Sequence, residues 1–355
     1  MSEIVALAWA PGPDDEGLSG LDAAYRALGA RLLDERLTVL QERVYARGPA
    51  VDRLARIRAT TPGIQEDVPV TLLTNEAPSS TSGVQILAVR PAVGESISTV
   101  RTRWGAGRLW ESGTSRALFG AVSVPAGGPG VAGLFERCAE LVSAQELSLR
   151  DVARTWLYVA DLLPTYARLN AVRDAAFEAA GLKTAGGWAE APPASTGIQG
   201  VAADGAPCFA ELLALRGLRQ ERPFTPVRPP LQGEAWEYGS SFSRGMTIDF
   251  GESRRLVTIS GTASIDRSGR SLHHDDPDAQ IAETLRNIEG LLDAAGVADA
   301  GAGLWTVYVK DRATLEAWQR TRDPRVPATA AIIQADVCRP ELLFEVEVTV
   351  PLSPT

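Results

Sequence analysis

Histidine, lysine and cysteine are scarce in this sequence, and each shortage narrows its possible chemistry. The 355 residues include two histidines, His273 and His274, which stand in a polar loop beside Asp275 and Asp276. No other ligand cluster is placed to join them, so a solvated loop is favoured over a metal site. Because the chain has no further histidine, a Ser-His-Asp or Cys-His mechanism is disfavoured as well.

Cysteine pairs and long apolar runs are missing too. Cys138, Cys208 and Cys338 lie far apart with no Cys-x-x-Cys spacing, which is typical of a reduced, cytosolic protein. The longest uncharged stretch, residues 117–135, is interrupted by glycine and proline, and residues 1–17 lack the basic region of a signal peptide. The sequence therefore predicts a cytoplasmic protein without a membrane span.

Positive charge is the third shortage. Lys183 and Lys310 are the only two lysines, so arginine supplies nearly all the positive charge. The 35 basic and 44 acidic residues give a net charge of −9. A nucleic acid or an anionic membrane would need a basic face, so neither is expected as a partner. A small anionic substrate remains compatible, because a few arginines can hold carboxylates through their planar guanidinium groups.

The patterns that are present predict an α+β protein of two to three domains. In the last third, Asp276 and Pro277 begin a helix, and its apolar stripe consists of Ile281, Leu285, Ile288 and Leu292. The other elements predicted there are strands over 243–250, 256–266, 304–310, 330–337 and 342–350 and a helix over 314–322. The order is ββαβαββ.

The middle third repeats this order at low identity. Tyr158 and Tyr308 occupy matching strands, and Glu211 and Glu345 each follow a proline by eighteen residues. We therefore predict an N-terminal extension over 1–100, a first domain over 101–218, a proline-rich linker over 219–234 and a second domain over 235–355. The extension, with a predicted helix over 21–46 and strands over 70–73 and 84–89, is either a truncated third copy or a plain addition.

A glycine motif, Gly128-x-Gly130-x-x-Gly133, follows a predicted strand and precedes a helix, as a dinucleotide-binding loop does. Pro129 lies within it, and no array of parallel βαβ units surrounds it. A plain strand-to-helix turn is therefore favoured over a nucleotide site.

Glu345 lies on the last predicted strand between Phe344 and Val346. Alternation alone favours a carboxylate on the outer face. A carboxyl in a semi-dry cleft would instead have a raised pKa and could serve as a general acid. Cys338 and Arg339 stand shortly before it in the sequence. The default interpretation is a small core residue for Cys338 and a surface charge for Arg339, and the alternative places both in the same cleft.

The second copy resembles the RidA/YjgF family. The resemblance rests on the segments ISGTASID, QIAETLRNIEGLLDAAG, VYVKD and ADVCRPELLFEVEVTV. It implies a ββαβαββ domain that in relatives usually forms a homotrimer with sites between subunits. The imine deaminases of that family use an arginine just after the proline of the penultimate strand, and a glutamate on the last strand. Here Pro327-Ala328-Thr329 has no arginine, while the glutamate matches Glu345.

The whole arrangement is similar to the chorismatase family from about residue 80 to the end. It combines two such copies and an N-terminal extension with the segments SFSRG, RTWLYVAD and PASTGIQG. The resemblance implies two tandem RidA/YjgF-like domains in a pseudo-trimeric arrangement, and release of pyruvate from chorismate with no cofactor. It makes Glu345 the acid, and Gly251 with Cys338 the pair typical of the branch that yields 3-hydroxybenzoate. The alternatives are the hydrolytic branch, a RidA-like imine deaminase and a non-catalytic binding protein.

The resemblance also suggests how the substrate is held. Arg244 and Arg154 are expected to clamp its carboxylates, although Arg154 could instead form an ion pair with Asp161 or Glu211. Facing them, Ser195, Thr196 and Gly197 either line the cleft or form a plain turn at the start of a strand.

Two further expectations follow from the resemblance. A chain that already contains its own pseudo-oligomer is expected to be a monomer. Changing Gly251 and Cys338 to alanine together is expected to shift the product toward the dihydroxy-diene acid.

Overall fold

The computed structural model describes residues 3–10, 18–46, 49–74, 83–113, 115–217 and 222–352. Its helices are α1 (Leu18–Asp34), α2 (Pro49–Thr60), α3 (Leu134–Ser143), α4 (Leu162–Ala179), α5 (Pro277–Ala294) and α6 (Arg312–Thr321). No helix in these ranges is long and apolar enough to cross a bilayer.

The strands form three main sheets and one short hairpin. They are β1 (Ile4–Trp9), β2 (Thr38–Ala46), β3 (Val70–Thr74), β4 (Gly83–Val89), β5 (Glu95–Arg101), β6 (Gly105–Ser112), β7 (Ser115–Val124), β8 (Val152–Val159), β9 (Lys183–Thr184), β10 (Gly187–Trp188), β11 (Ala194–Gln199), β12 (Val201–Ala202), β13 (Cys208–Arg216), β14 (Phe224–Pro226), β15 (Gly245–Asp249), β16 (Arg255–Ala263), β17 (Leu304–Val309), β18 (Ala331–Gln334) and β19 (Phe344–Leu352). The mixture of sheets and helices confirms the predicted α+β class.

The second repeat has the predicted ββαβαββ order, with the sheet arranged β14-β15-β16-β19-β17-β18. The Asp276 side chain accepts a hydrogen bond from the N–H of Ala279 and caps α5, whose apolar stripe is buried against the sheet. Phe344 and Val346 of β19 pack in the same core. Glu345 and Glu347 alternate with them but are also buried, because the first repeat covers their face. Glu345 is therefore not on an outer face.

The first repeat has the same pairing in a sheet ordered β11-β8-β13-β7-β6-β5. In both repeats the last strand lies between two antiparallel neighbours, and the penultimate strand pairs in parallel at one edge. Each sheet also has an extra edge strand, β5 or β14, that lies before the predicted boundaries at 101 and 235. Residues 224–226 are therefore part of the second sheet rather than of a linker.

The N-terminal unit is a truncated third copy. Its sheet, β1-β4-β2-β3-β12, repeats the same pairings, and β1 takes the place of β7 and β16. Among the residues that the structure describes, no strand pairs with the outer edge of β1. The helix predicted over 21–46 is wrong beyond Asp34, since Arg36 has a left-handed φ of 54° and β2 follows. The residues of β2 lie at the centre of the sheet. There, pairing with the two neighbouring strands favours a strand more than the spacing of apolar residues favours a helix.

Strand register shows which positions of the three copies are equivalent. Tyr45, Tyr158 and Tyr308 are all buried and pair with Gly83, Phe209 and Glu345, respectively. Two residues further along the same strands lie Gln85, Glu211 and Glu347. Glu211 is thus the counterpart of Glu347, and the match to Glu345 by spacing is wrong. The reason is that the count starts at Pro193 in the first repeat and at Pro327 in the second. From these prolines, the second repeat has one more residue before its edge strand pairs, and one more between that strand and its last strand.

Candidate active site

A cavity lies where the first repeat packs against the second, with an empty volume of about 300 Å³. The first repeat contributes Tyr166, Leu169 and Arg173 from α4, and Ser195 and Gly197 from β11. The second repeat contributes Phe242, Gly261, Cys338 and Glu345. The lining combines apolar walls with a few titratable groups, as small-molecule sites do.

Glu345 is the acidic residue of the cavity. Its side chain is almost fully buried, and no hydrogen bond to its carboxyl is found among the described residues. Burial and the nearby charge of Glu347 raise its pKa to about 8, although Arg244 and Arg154 act in the opposite direction. A carboxyl with this pKa is mostly protonated at neutral pH, and a protonated carboxyl can act as a general acid.

Gly261 on β16 leaves the space that Glu345 occupies. A Cβ atom built at this glycine would lie 2.1 Å from Oε1 of Glu345 and 3.0 Å from Cγ2 of Thr196. No other residue type could therefore stand here unless the carboxyl moved. The absence of a side chain at 261 fixes how closely the acid approaches the strand.

Arg154 does not line the cavity. Its Nη2 lies 2.7 Å from a carboxylate oxygen of Glu347 and 2.6 Å from the hydroxyl oxygen of Thr196, and its guanidinium lies over the Trp156 ring. The expectation that Arg154 clamps a substrate carboxylate is therefore wrong, and neither Asp161 nor Glu211 is its partner. A buried arginine needs a counter-ion, and Glu347 supplies one across the interface between the repeats.

Thr196 is also part of this interface rather than of the cavity wall. Its hydroxyl donates to Glu347 over 2.5 Å and accepts from the backbone N–H of Gly261 over 2.9 Å. Ser195 and Gly197, on either side of it, do line the cavity as expected. The backbone N–H of Ser195 donates to Ser260 over 2.9 Å, which fixes β11 against β16.

Arg173 is the cavity arginine that the sequence analysis missed. It is buried, its Nη1 donates to the Ser195 hydroxyl over 3.3 Å, and its guanidinium lies 5.4 Å from the Phe242 ring centre. Its Nε has no acceptor among the described residues. A buried cation with an unused donor at a cavity wall is suited to bind an anionic group.

The helical spacing of α4 contains the signal that would have found Arg173. One face of this helix carries Leu162, Tyr166, Leu169, Arg173 and Phe177 at intervals of three or four residues. A tyrosine and an arginine interrupt an otherwise apolar stripe. Such an interruption places polar groups on a face that packs inward.

Arg244 lies next to the cavity. It is buried, its guanidinium packs over the rings of Phe242 and Tyr238, and it donates to the Tyr238 hydroxyl. Burial lowers its pKa. Arg244 therefore adds positive charge beside the acid. The Phe242 ring, over which its guanidinium packs, lines the cavity wall.

Cys338 faces Tyr166 at the cavity. Burial raises the pKa of its thiol to about 12, and the charge of Glu345 acts in the same direction. The pKa of Tyr166 is likewise raised to about 12, mainly by burial. Both groups stay protonated at neutral pH, so Cys338 is a weak hydrogen-bond donor here and not a thiolate nucleophile.

Three comparisons with known proteins agree with this architecture. A family model described as "Endoribonuclease L-PSP" matches residues 240–351. A protein named "Chorismatase" from Streptomyces rapamycinicus is 29% identical over 255 residues, which is 65% of this chain and 73% of the relative. The crystal structure of a chorismatase superposes with a TM-score of 0.67 at 21% identity and covers 99% of both chains. The chain is similar to chorismatases in sequence and in fold.

The chorismatase structure also matches the N-terminal unit, which the shorter family model does not reach. The match therefore supports one fold made of a truncated and two complete copies. In the part of this chain that the structure describes, no three histidine, cysteine or acidic side chains are grouped to hold a metal.

Gly251 does not line the cavity. It lies in the exposed turn between β15 and β16 with a φ of 83°, and the preceding Phe250 stacks on Trp110. Gly261 lies at the far end of β16, about 20 Å along the strand. The expectation that Gly251 acts together with Cys338 at the site is therefore wrong. The glycine at the turn permits a left-handed backbone, and Gly261 provides the space.

Only one of the three clefts carries an acid at the position of Glu345. Between the N-terminal unit and the first repeat, that position is Phe209, and the cleft between the second repeat and the N-terminal unit has Gly83. A second cavity, of about 240 Å³, reaches Glu211, but this carboxylate is bonded to Arg43 and Gln41. The pseudo-threefold arrangement therefore offers a single site for acid chemistry.

Proposed function

We propose that the protein converts chorismate into 3-hydroxybenzoate and pyruvate. The observation that carries the proposal is Glu345, a buried carboxyl with a pKa of about 8 and no hydrogen-bond donor among the described residues, facing a small cavity beside an arginine. A relative that matches two thirds of this chain is named a chorismatase. An acid that is protonated at neutral pH suits an enol ether, whose methylene carbon must take up a proton.

The groups around the cavity match those of the substrate. Chorismate carries two carboxylates, an enol ether and a ring hydroxyl. Arg173 would bind one carboxylate through its unused Nε and its Nη1, with Ser195 alongside. Arg244 would attract the second carboxylate from behind Phe242.

The chemistry proceeds without a further reactant. Glu345 gives its proton to the methylene carbon, and the bond between the ring carbon and the ether oxygen breaks as the neighbouring ring hydroxyl oxygen bonds to that carbon. Pyruvate leaves, and the bond between the hydroxyl oxygen and its original ring carbon then breaks. The carbon that now holds the oxygen loses its hydrogen as a proton, which returns to the Glu345 carboxylate, and the ring becomes aromatic. The two products together contain all the atoms of chorismate.

Gly261 and Cys338 favour this route over hydrolysis. Gly261 lies at the wall beside the acid, where any side chain would displace the Glu345 carboxyl. Cys338 and Tyr166 line the same cavity and stay protonated, so neither is a base that could activate a water molecule. An imine deaminase is disfavoured, because the edge strand that faces Glu345 is β11 and carries Ser195 where that family has arginine.

The test is incubation of the purified protein with chorismate. Pyruvate would be followed with lactate dehydrogenase, and the second product would be identified by chromatography and mass. We expect equal amounts of pyruvate and 3-hydroxybenzoate. Pyruvate with a dihydroxycyclohexadiene carboxylate would place the protein in the hydrolytic branch, and no pyruvate at all would overturn the proposal.

A further inference from the structure

Two carboxyl groups stand side by side on one face of β19. Glu345 and Glu347 are two residues apart, so both side chains point to the interface with the first repeat. Both are buried. Two neighbouring carboxyls in a site of low dielectric do not both ionise readily, so their surroundings decide which of them holds the proton.

The hydrogen-bond donors are divided unequally between the two. The carboxylate of Glu347 accepts from Arg154 over 2.7 Å, from Thr196 over 2.5 Å and from the Tyr308 hydroxyl over 3.1 Å. Nη1 of Arg43 lies 3.5 Å away on the other side. Glu345 receives no such donor among the described residues. An ionised carboxyl can only accept hydrogen bonds, so this arrangement fits a charged Glu347 and a protonated Glu345.

We propose that Glu347 is a positioning residue: a carboxylate, held by donors from all three units, that keeps the proton on Glu345. Arg43 comes from the N-terminal unit, Arg154 from the first repeat and Tyr308 from the second. The inference rests on the proposed function, because it explains how the acid of that reaction is kept ready.

The other charges around Glu345 show why such a residue is needed. Arg244 and Arg154 both favour the ionised form of Glu345, and Arg173 stands at the opposite cavity wall. Tyr166 and Cys338 stay neutral. Against these cations, only burial and the charge of Glu347 raise the pKa of Glu345. Arginines that attract an anionic substrate would otherwise remove the proton from the acid.

The same contacts couple the acid to the docking of the repeats. The Thr196 hydroxyl that donates to Glu347 also accepts from the N–H of Gly261, the residue against which Glu345 packs. The hydrogen bonding of Glu347 and the position of Glu345 therefore depend on the same strand contact between β11 and β16.

The test is the pH dependence of kcat in Glu347→Gln. This change removes the negative charge and leaves Arg154 without its counter-ion, so the pKa of Glu345 should fall. We expect the alkaline limb of kcat to move down by at least about one pH unit, with at least about a fivefold loss at pH 8 and less than about threefold at pH 5.5. An unmoved alkaline limb would overturn the proposal.

Glu211→Gln is the matched control. Glu211 is the counterpart of Glu347 in the first repeat, and it forms the same kind of buried ion pair with Arg43. Its counterpart of Glu345 is Phe209, so the loss of its charge should leave the alkaline limb in place. An equal shift in both variants would mean that any damage to the buried network has this effect, and would also overturn the proposal.

A second measurement needs neither substrate nor a Glu347 variant. Infrared spectra of the wild type and of Glu345→Gln at pH 7 should differ by one protonated-carboxyl band, because Glu345 carries the proton. Glu234, whose pKa burial raises to about 7, contributes equally to both spectra. Identical band intensities would place the proton elsewhere and overturn the inference. If the wild type released no pyruvate, the proposed function would fail while this result would stand.

Discussion

A single buried carboxyl determines what the cavity can do. Glu345 lacks the hydrogen-bond donors that hold ionised carboxylates elsewhere in this chain, such as those around Glu347 or Glu211. Its pKa is raised mainly because the charged form would be poorly solvated. The residue is therefore unfavourable for stability at high pH and suited to proton transfer at neutral pH.

Glu345→Gln should abolish turnover while leaving the fold intact. Glutamine keeps the shape and a hydrogen-bond donor but has no proton to give, so kcat for pyruvate release should fall at least about a hundredfold. Rates from the coupled assay and circular dichroism of the variant check this. Near wild-type turnover by the variant would mean that another group is the acid.

Removing this carboxyl should also stabilise the protein at alkaline pH. The pKa of Glu345 rises from about 4.5 when unfolded to about 8 when folded, so the folded state loses stability as pH rises between these values. Relative to the wild type, the unfolding free energy of Glu345→Gln should increase by roughly 1 kcal/mol per pH unit in that window and level off above pH 8. Urea unfolding at pH 5, 7 and 9 measures the difference, and a constant difference would contradict the raised pKa.

Arg173 should act through binding. Replacing it with glutamine removes the only arginine among the described residues that line the cavity, so KM for chorismate should rise at least about tenfold with a smaller change in kcat. Arg168 lies on the same helix but is exposed, and Arg168→Gln should leave KM unchanged. Equal KM values for the wild type and Arg173→Gln would remove Arg173 from the site.

At the scale of elements, the site depends on strands and a helix that belong to different repeats. Helix α4 supplies Tyr166 and Arg173, β11 supplies Ser195, and β16 with β19 supply Gly261 and Glu345. The edge strand of one repeat lies against the first strand of the next, joined by the bridge between Ala194 and Ser243. No repeat contains a complete site.

The two ends of β16 should respond differently to the same substitution. The first variant combines Gly261→Ala with Cys338→Ala. The alanine at 261 places a methyl group against the Glu345 carboxyl, and the alanine at 338 opens space where the thiol was, so water can compete with the ring hydroxyl. We expect slower pyruvate release and product shifted toward the dihydroxy-diene acid.

Gly251→Ala with the same Cys338→Ala change is the control, because residue 251 is at the exposed turn. Its product distribution should equal that of Cys338→Ala alone. The comparison is made by chromatography of all three variants. A product shift caused by Gly251→Ala and not by Gly261→Ala would return the specificity role to the turn.

At the scale of the whole molecule, one chain contains three related sheets around a buried centre. Tyr45, Tyr158 and Tyr308 meet in a shared core cluster, and the ion pairs of Arg43 and Arg154 cross between units. The covalent connection lets the three copies diverge, so that one cleft keeps an acid and the others have Phe209 or Gly83 at that position.

We expect the protein to be a monomer in solution. The surfaces that a smaller relative would use to form a trimer are already buried between the units of this chain, so no equivalent surface is left to drive assembly. Light scattering coupled to size exclusion should give a mass near 37.7 kDa. A stable trimer at micromolar concentration would contradict this expectation.

The sequence by itself determined the element order of both repeats and drew attention to Glu345. Local patterns suffice for this, because the stripe of α5 and the alternation of β19 are set by which residues must leave water. The same patterns wrongly made Glu211 the counterpart of Glu345. Spacing along the chain counts loop residues, whereas strand register does not.

Only the tertiary structure decided which residues surround the acid. Arg154, Arg173, Gly251 and Gly261 are all plausible by residue type, and their distances from Glu345 depend on how the first repeat docks on the second. The outcome is set by contacts between residues more than one hundred positions apart, such as Thr196 with Glu347. No periodicity in the sequence encodes that docking, so the raised pKa of Glu345 and its cause come from the folded chain alone.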